Sequence, residues 1–146
     1  MTPFDLGIRN ATYAAFADLG RAPTIDEVAE RRSAPTSDVA ASWARLHDGH
    51  ALVLDSAATI LMANPFSAVE TPHRVEAAGR TWFANCGWDA FGIGAALRTD
   101  SAIHTTCPDC DERIDLEVRG GRPVDETPVF HVLVPASEWW NDIRFT

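Results

Sequence analysis

"WFANCGWDAFGIG", Trp82–Gly94, reads as a strand that turns into a short helix in spite of its glycines. A strand that delivers a helix here makes the second half of the chain a sheet with short helices. Cys86 and Asp89 stand three residues apart and share one helical face. A buried carboxylate needs a partner, whereas a thiol that only packs needs none. At a helix start the thiol meets unpaired backbone N–H groups and the positive end of the helix dipole. That predicts a lowered thiol pKa and a larger thiolate fraction. Two readings stay open. In one, a thiolate binds a soft metal beside a carboxyl group that delivers a proton. In the other, a cysteine is packed and Asp89 pairs with a nearby backbone or arginine group.

Working outward, strands surround this stretch. "HRVEA", His73–Ala77, and "RTWFAN", Arg80–Asn85, flank the Ala78-Gly79 turn as a hairpin. Ala102–Thr105 and Ile114–Val118 make a second hairpin around "CPDC", Cys107–Cys110. "GGRP", Gly120–Pro123, turns the chain again. "PVFHVLVP", Pro128–Pro135, is expected as a buried strand, with His131 as a core histidine. "SEWWND", Ser137–Asp142, is expected to open a last short helix with Ser137 as its cap.

Upstream the period is helical. Phe4, Ile8, Ala11, Ala15, Phe16 and Leu19 repeat at helical spacing, and Gly20 ends the run. "TIDE", Thr24–Glu27, is a capping box for a second helix. Val39, Ala40, Trp43 and Leu46 give a third, capped by Thr36 or Ser37. "ALVLD", Ala51–Asp55, and "TILMA", Thr59–Ala63, then read as a hairpin. Three helices and a hairpin have the order of a winged helix. A DNA reader would present cations on the third helix. That helix offers Arg45, with His47 and His50 when protonated, against Asp38 and Asp48, so a packing module without a nucleic-acid partner is expected. The expected fold class is α+β: a winged-helix-like helical module over residues 1–63, a connector over 64–72, and a mixed or antiparallel sheet domain with short helices over 73–146, cut short at its C-terminal end.

Composition bounds the function. The chain has 146 residues, 46% of them hydrophobic, enough to bury a core. Its formal charge of −9 argues against nucleic acid or an anionic membrane as a partner of the whole surface. No segment reads as a signal peptide or a membrane helix, so a cytoplasmic location is expected. The three cysteines, Cys86, Cys107 and Cys110, are too few for a disulfide scaffold and fit a reducing compartment.

"CPDC" has the spacing of a zinc knuckle or a redox pair. A structural zinc site needs four ligands, and only His104 and Cys86 are available to complete one. A tight turn bearing two half-buried thiols is the alternative. The five histidines, at positions 47, 50, 73, 104 and 131, are scattered. "GIG", Gly92–Gly94, is too short for a dinucleotide loop. Trp82, Trp88, Trp139 and Trp140 are expected in the core, with Trp88 also placed to wall a small apolar pocket.

From about His73 onward, the chain resembles the alkylmercury lyase family, the organomercurial lyases. The resemblance rests on "HRVEAAGRTWFANCGWDAFGIGAAL", on the cysteine 21 residues after Cys86 in "SAIHTTCPDC", and on "VFHVLVPASEWWNDIRFT". The first half is also similar, since the family carries a winged-helix-like module that does not read DNA. The resemblance implies protonolysis of a carbon–mercury bond. Cys86 would capture the mercury and Asp89 would relay the proton to the leaving carbon. Mercury would then pass as Hg(II) to small thiols or a mercury-accepting protein. Cys107 matches a cysteine that is structural in the family. The family's second catalytic cysteine follows a stretch similar to "WWNDIRFT", Trp139–Thr146, and this sequence stops at Thr146. Cys110, or less readily Cys107, is then the second sulfur available to mercury, and a sheet edge is left open. The rival expectations are a thiol-based binding protein without turnover, holding mercury or zinc, and a winged-helix regulator.

Overall fold

Helix α1 (Pro3–Leu19) begins where Thr2 and Asp5 cap each other, and it ends at Gly20 in the left-handed conformation. The computed structural model, which describes residues 1–132 and 134–143, continues with α2 (Ile25–Arg32) and α3 (Thr36–Asp48). The Thr24–Glu27 capping box is formed as read. For α3 the cap differs from expectation: Pro35 precedes the helix without a side-chain cap, and Thr36 is its first residue. Proline there presets the backbone that enters the helix, so no hydroxyl is required.

The helices are locked by polar groups inside the apolar interface. Asp5 is 1% exposed. It accepts from Thr2, from Ser42 Oγ at 2.8 Å, and from Arg45 Nε at 3.1 Å and Nη2 at 2.6 Å. The Arg45 guanidinium first, then the Thr2 bonds, hold this carboxyl well below the usual carboxylate range. Trp43 Nε1 donates to Thr12 Oγ1 at 3.0 Å, and that hydroxyl donates to Ile8 O. Two of the cations considered as base readers therefore have structural roles: Arg45 holds Asp5, and His47 Nδ1 accepts from the Leu54 N–H at 3.3 Å.

The hairpin β1 (Val53–Leu54) and β2 (Ile60–Ala63) is present, yet it is no free-standing wing. β2 pairs with β3 (Phe66–Ser67), inside the 64–72 connector, and β3 pairs with β5 (Arg80–Ala84). With β4 (Arg74–Ala77), β6 (Ser101–Thr106), β7 (Arg113–Arg119) and β8 (Arg122–Pro123) they form one sheet of order β1-β2-β3-β5-β4-β6-β7-β8. Every pairing in it is antiparallel. Helix and antiparallel sheet together give the expected α+β class.

One apolar cluster unites the helices with the sheet, from Ile8, Phe16 and Trp43 through Leu52 and Phe66 to Val75, Trp82 and Ile103. Phe16 stacks on Phe66 with ring centroids 5.5 Å apart, and Trp82 Nε1 donates to the Phe16 carbonyl at 2.9 Å. These contacts fix β5 against α1, and β5 delivers the candidate site.

Two C-terminal expectations are corrected. Pro128–Val132 form no strand, and Val129 is 91% exposed, with His131 also exposed. Leu133 lies outside the described residues, as do Arg144–Thr146 of "WWNDIRFT". An apolar run becomes a strand only beside a free edge, and the edges here are the two-residue β1 and the two-residue β8, whose Pro123 lacks a donor. Ala136–Asn141 is a 3-10 helix entered through Pro135 rather than a helix capped by Ser137; the Glu138 N–H reaches the Pro135 carbonyl at 2.8 Å.

Candidate active site

β4 lies between β5 and β6 and is antiparallel to both, so β5 and β6 run the same way. Their C-terminal ends emerge at one end of the sheet. β5 ends at Ala84, and the chain passes through Asn85 and Cys86 into α4 (Gly87–Leu97). Cys86 is the helix N-cap, with an extended backbone and a thiol in place of the usual hydroxyl or carboxylate. The Asp89 backbone N–H points at Cys86 Sγ from 3.5 Å. The glycines of α4 admit a close approach: a Cβ on Gly94 would meet Ser101 Oγ at 2.6 Å, so "GIG" is a packing surface.

The thiol does not follow the helix-start expectation. Burial pushes the Cys86 thiol up; the N–H groups of Asp89 and Trp88 act against this, and the Asp89 charge adds to it. Two donors at the end of an 11-residue helix do not replace the water lost by a half-buried sulfur.

Asp89 shares the thiol's side of the helix start. Burial raises its carboxyl pKa, while the bond from Asn85 opposes the rise. Asn85 Nδ2 donates to Asp89 Oδ2 at 2.9 Å and to Asn64 Oδ1 at 3.1 Å, and lies 3.4 Å from the Phe66 carbonyl. Asn85 Oδ1 is buried without a hydrogen-bond partner. Neither asparagine was singled out in the sequence. The signal for Asn85 was its place four residues before Asp89 across a helix start, a spacing at which amide and carboxylate meet.

The other thiols form a separate group. Cys107 and Cys110 lie in the turn beyond β6, closed by Cys107 N–H to Glu112 O at 2.8 Å and Asp111 N–H to Cys107 O at 2.9 Å. Backbone N–H groups of Asp109 and Cys110, then the Cys110 side chain, lower the Cys107 thiol. Cys110 is exposed. One strand, β4, separates this end of β6 from that of β5, about 10 Å across two strand spacings. His104 is engaged elsewhere, with Nδ1 2.5 Å from Asp115 and Nε2 3.9 Å from Glu76. Among the described residues no three His, Cys, Asp or Glu side chains gather as metal ligands, so the four-ligand zinc set is not assembled. Of the expected core tryptophans Trp82 is buried, Trp139 and Trp140 are half-buried, and Trp88 is 61% exposed. Trp88 leans on Phe130 with centroids 6.1 Å apart, because its place beside the cap points it out of the sheet–helix interface.

Residues 66–146 match the family model described as alkylmercury lyase, more than half of the chain. Among solved structures, the fold is similar to one titled as the mercury-bound form of MerB2, with a TM-score of 0.72 and 25% sequence identity. That likeness covers 88% of this chain and 62% of the other, so the chain spans less than two thirds of that protein's length. No curated protein matches the sequence. Among the described residues no helix is long and apolar enough to cross a membrane.

Proposed function

The chain belongs to the alkylmercury lyase family, and we propose that it cleaves carbon–mercury bonds by protonolysis, with Cys86 capturing the metal and Asp89 carrying the proton. The observation that carries this reading is the junction of β5 and α4. There a half-buried thiol and a carboxyl group of raised pKa share one helix start, joined by the Asp89 N–H on Cys86 Sγ.

The chemistry follows from those two shifts. Burial keeps the proton on Cys86 until mercury arrives. Sulfur then bonds to mercury, for which thiolate is the preferred ligand, displacing the small-molecule thiolate that the organomercurial carries in excess thiol, and the Cys86 proton passes to the Asp89 carboxylate. Burial also favours the neutral carboxylic acid, and so the proton stays available beside the mercury-bound carbon. When the carbon–mercury bond breaks, its electron pair stays with carbon and takes that proton, releasing a hydrocarbon. Asp89 returns to carboxylate, and Hg(II) remains on Cys86 sulfur. A second sulfur completes the two-coordinate preference of the ion. In this proposal a small thiol that removes the metal supplies it, with a mercury-accepting protein as the final carrier, because Cys110 and Cys107 lie beyond β4 from Cys86. Asn85 holds the carboxylate in place between proton transfers.

The test is release of benzene from phenylmercury, or methane from methylmercury, in excess small thiol. Several equivalents of hydrocarbon per chain are expected. One bound mercury per chain with no hydrocarbon would replace the enzyme by a binding protein.

A further inference from the structure

The turn between β6 and β7 carries two thiols that the chemistry proposed at Cys86 does not use. Cys107 follows the end of β6 and is half-buried, and Cys110 lies exposed in the same turn. The β6–β7 ladder runs up to the pair Thr106–Arg113, directly beneath the turn. Above it the Cys107 N–H donates to Glu112 O at 2.8 Å, and the Asp111 N–H donates to Cys107 O at 2.9 Å. Pro108 fixes one backbone angle, and Asp111 turns the chain into β7 from the left-handed region, with φ 57°.

This frame brings both sulfurs to one place. The Asp109 and Cys110 backbone N–H groups hydrogen-bond the Cys107 sulfur, and the Cys110 side chain hydrogen-bonds it as well. The two thiols are therefore adjacent on a braced turn before any ligand arrives.

The number of ligands then selects the ion. Among the described residues no third His, Cys, Asp or Glu side chain gathers here as a metal ligand. His104 is held by Asp115, and β4 separates the turn from the end of β5. A tetrahedral ion such as zinc is left half-ligated. A second copy of the turn would supply the other two thiolates, but four thiolates around a divalent ion make an anion. Each turn would also bring Asp109, Asp111 and Glu112 to that anion. Two thiolates on Hg(II) instead give a neutral and complete shell of soft ligands.

We propose that Cys107 and Cys110 form a second metal site, separate from Cys86, that chelates one two-coordinate thiophilic ion, Hg(II). Mercury enters by thiol exchange. Each protein sulfur bonds to the metal, and each departing small thiolate takes the proton which that sulfur gives up, with no change of oxidation state. When one mercury–sulfur bond opens, the other sulfur keeps the ion at the turn for recapture, whereas a monothiol diffuses away. The site takes inorganic mercury from any source, so it does not depend on the lyase reading.

The test uses Cys86→Ser, HgCl2 and excess glutathione. After desalting, native mass spectrometry should show about one mercury per chain and no attached glutathione, as expected of a chelate in competition with a monothiol. Cys86→Ser/Cys110→Ser and Cys86→Ser/Cys107→Ser should each retain at least about tenfold less. Cys110 is exposed, so its replacement leaves the core intact if Cys107→Ser should fail to fold. Equal retention in Cys86→Ser and a folded Cys86→Ser/Cys110→Ser overturns the site, as does a Cys86→Ser chain that leaves the column without mercury. A dimer that assembles with one zinc per two chains, and is lost in Cys110→Ser, overturns the two-coordinate assignment in favour of a four-thiolate bridge. No arm reads hydrocarbon release, so a chain that cleaves no organomercurial still decides this proposal.

Discussion

The Asn85 amide donates to the Asp89 carboxylate at 2.9 Å, from the residue just before the Cys86 thiol. Its other bond, to Asn64, ties the same amide to the turn between β2 and β3. Burial raises Asp89, and the Asn85 bond favours the ionised form and so pulls it down. Removing the amide leaves burial unopposed. Asn85→Ala should raise the Asp89 pKa further, so that the protonated acid persists to higher pH. The alkaline limb of the cleavage profile should move upward. A limb that stays in place while activity falls would make Asn85 a packing residue only.

The thiols should react in an order opposite to the one suggested by the helix start alone. Cys110 is exposed and Cys107 is lowered by backbone donors, whereas burial raises Cys86. Since the thiolate is the nucleophile, limiting iodoacetamide at neutral pH should label Cys107 or Cys110 first. Peptide mapping reads the order. Labelling of Cys86 ahead of both would show that its sulfur is ionised in spite of burial. Mercury capture need not follow this order, because metal binding displaces the proton.

Asp5 should govern acid stability. Its folded pKa is depressed, chiefly by Arg45, so the stability it contributes is fully present above the unfolded value near 3.8. That contribution is lost as pH falls through the depressed folded value. Asp5→Asn should lower the melting temperature at pH 7, and the gap to the parent should close as pH falls below about 3.8. A gap that stays constant from pH 7 to pH 2.5 would mean that shape, and not charge, is what the position needs.

Much of this architecture is legible in local signals. Gly20, the Thr24–Glu27 box, the Ala78-Gly79 turn and the two-residue periods of β4 to β7 each state their role within a few residues. What local signals do not carry is pairing across the chain. β3 hides in a polar, proline-bearing connector because it has only two residues, yet it joins the first hairpin to the rest of the sheet. Pro128–Val132 has a strand's composition but pairs with neither of the sheet's two-residue edges, β1 and β8, which only the topology reveals. At the site, the Cys86–Asp89 spacing is visible in sequence. Asn85 and Asn64 come together only through the fold, and the sign of the Cys86 shift depends on burial that no helix-start argument contains.

The strongest test of the proposed chemistry separates capture from cleavage. Mercury bonds to sulfur far better than to a hard carboxylate oxygen, so Asp89→Ala should still take up an organomercurial through Cys86. The substitution also removes the neighbouring charge that raises the thiol, which favours capture if it changes it at all. Cleavage differs, because the departing carbon needs a proton as the bond breaks, and Asp89 stands one helical turn from the sulfur. A well-placed acid contributes roughly 10²–10⁴-fold in rate, and Asp89→Ala should lose about that much hydrocarbon release. Cys86→Ser should lose both steps, since a serine hydroxyl is a poor ligand for a soft ion. Binding is read by mercury stoichiometry after desalting, and cleavage by headspace hydrocarbon from the same sample. If Asp89→Ala releases hydrocarbon at the parent rate, the proton reaches carbon from another donor, and the raised carboxyl of Asp89 is only a consequence of its burial.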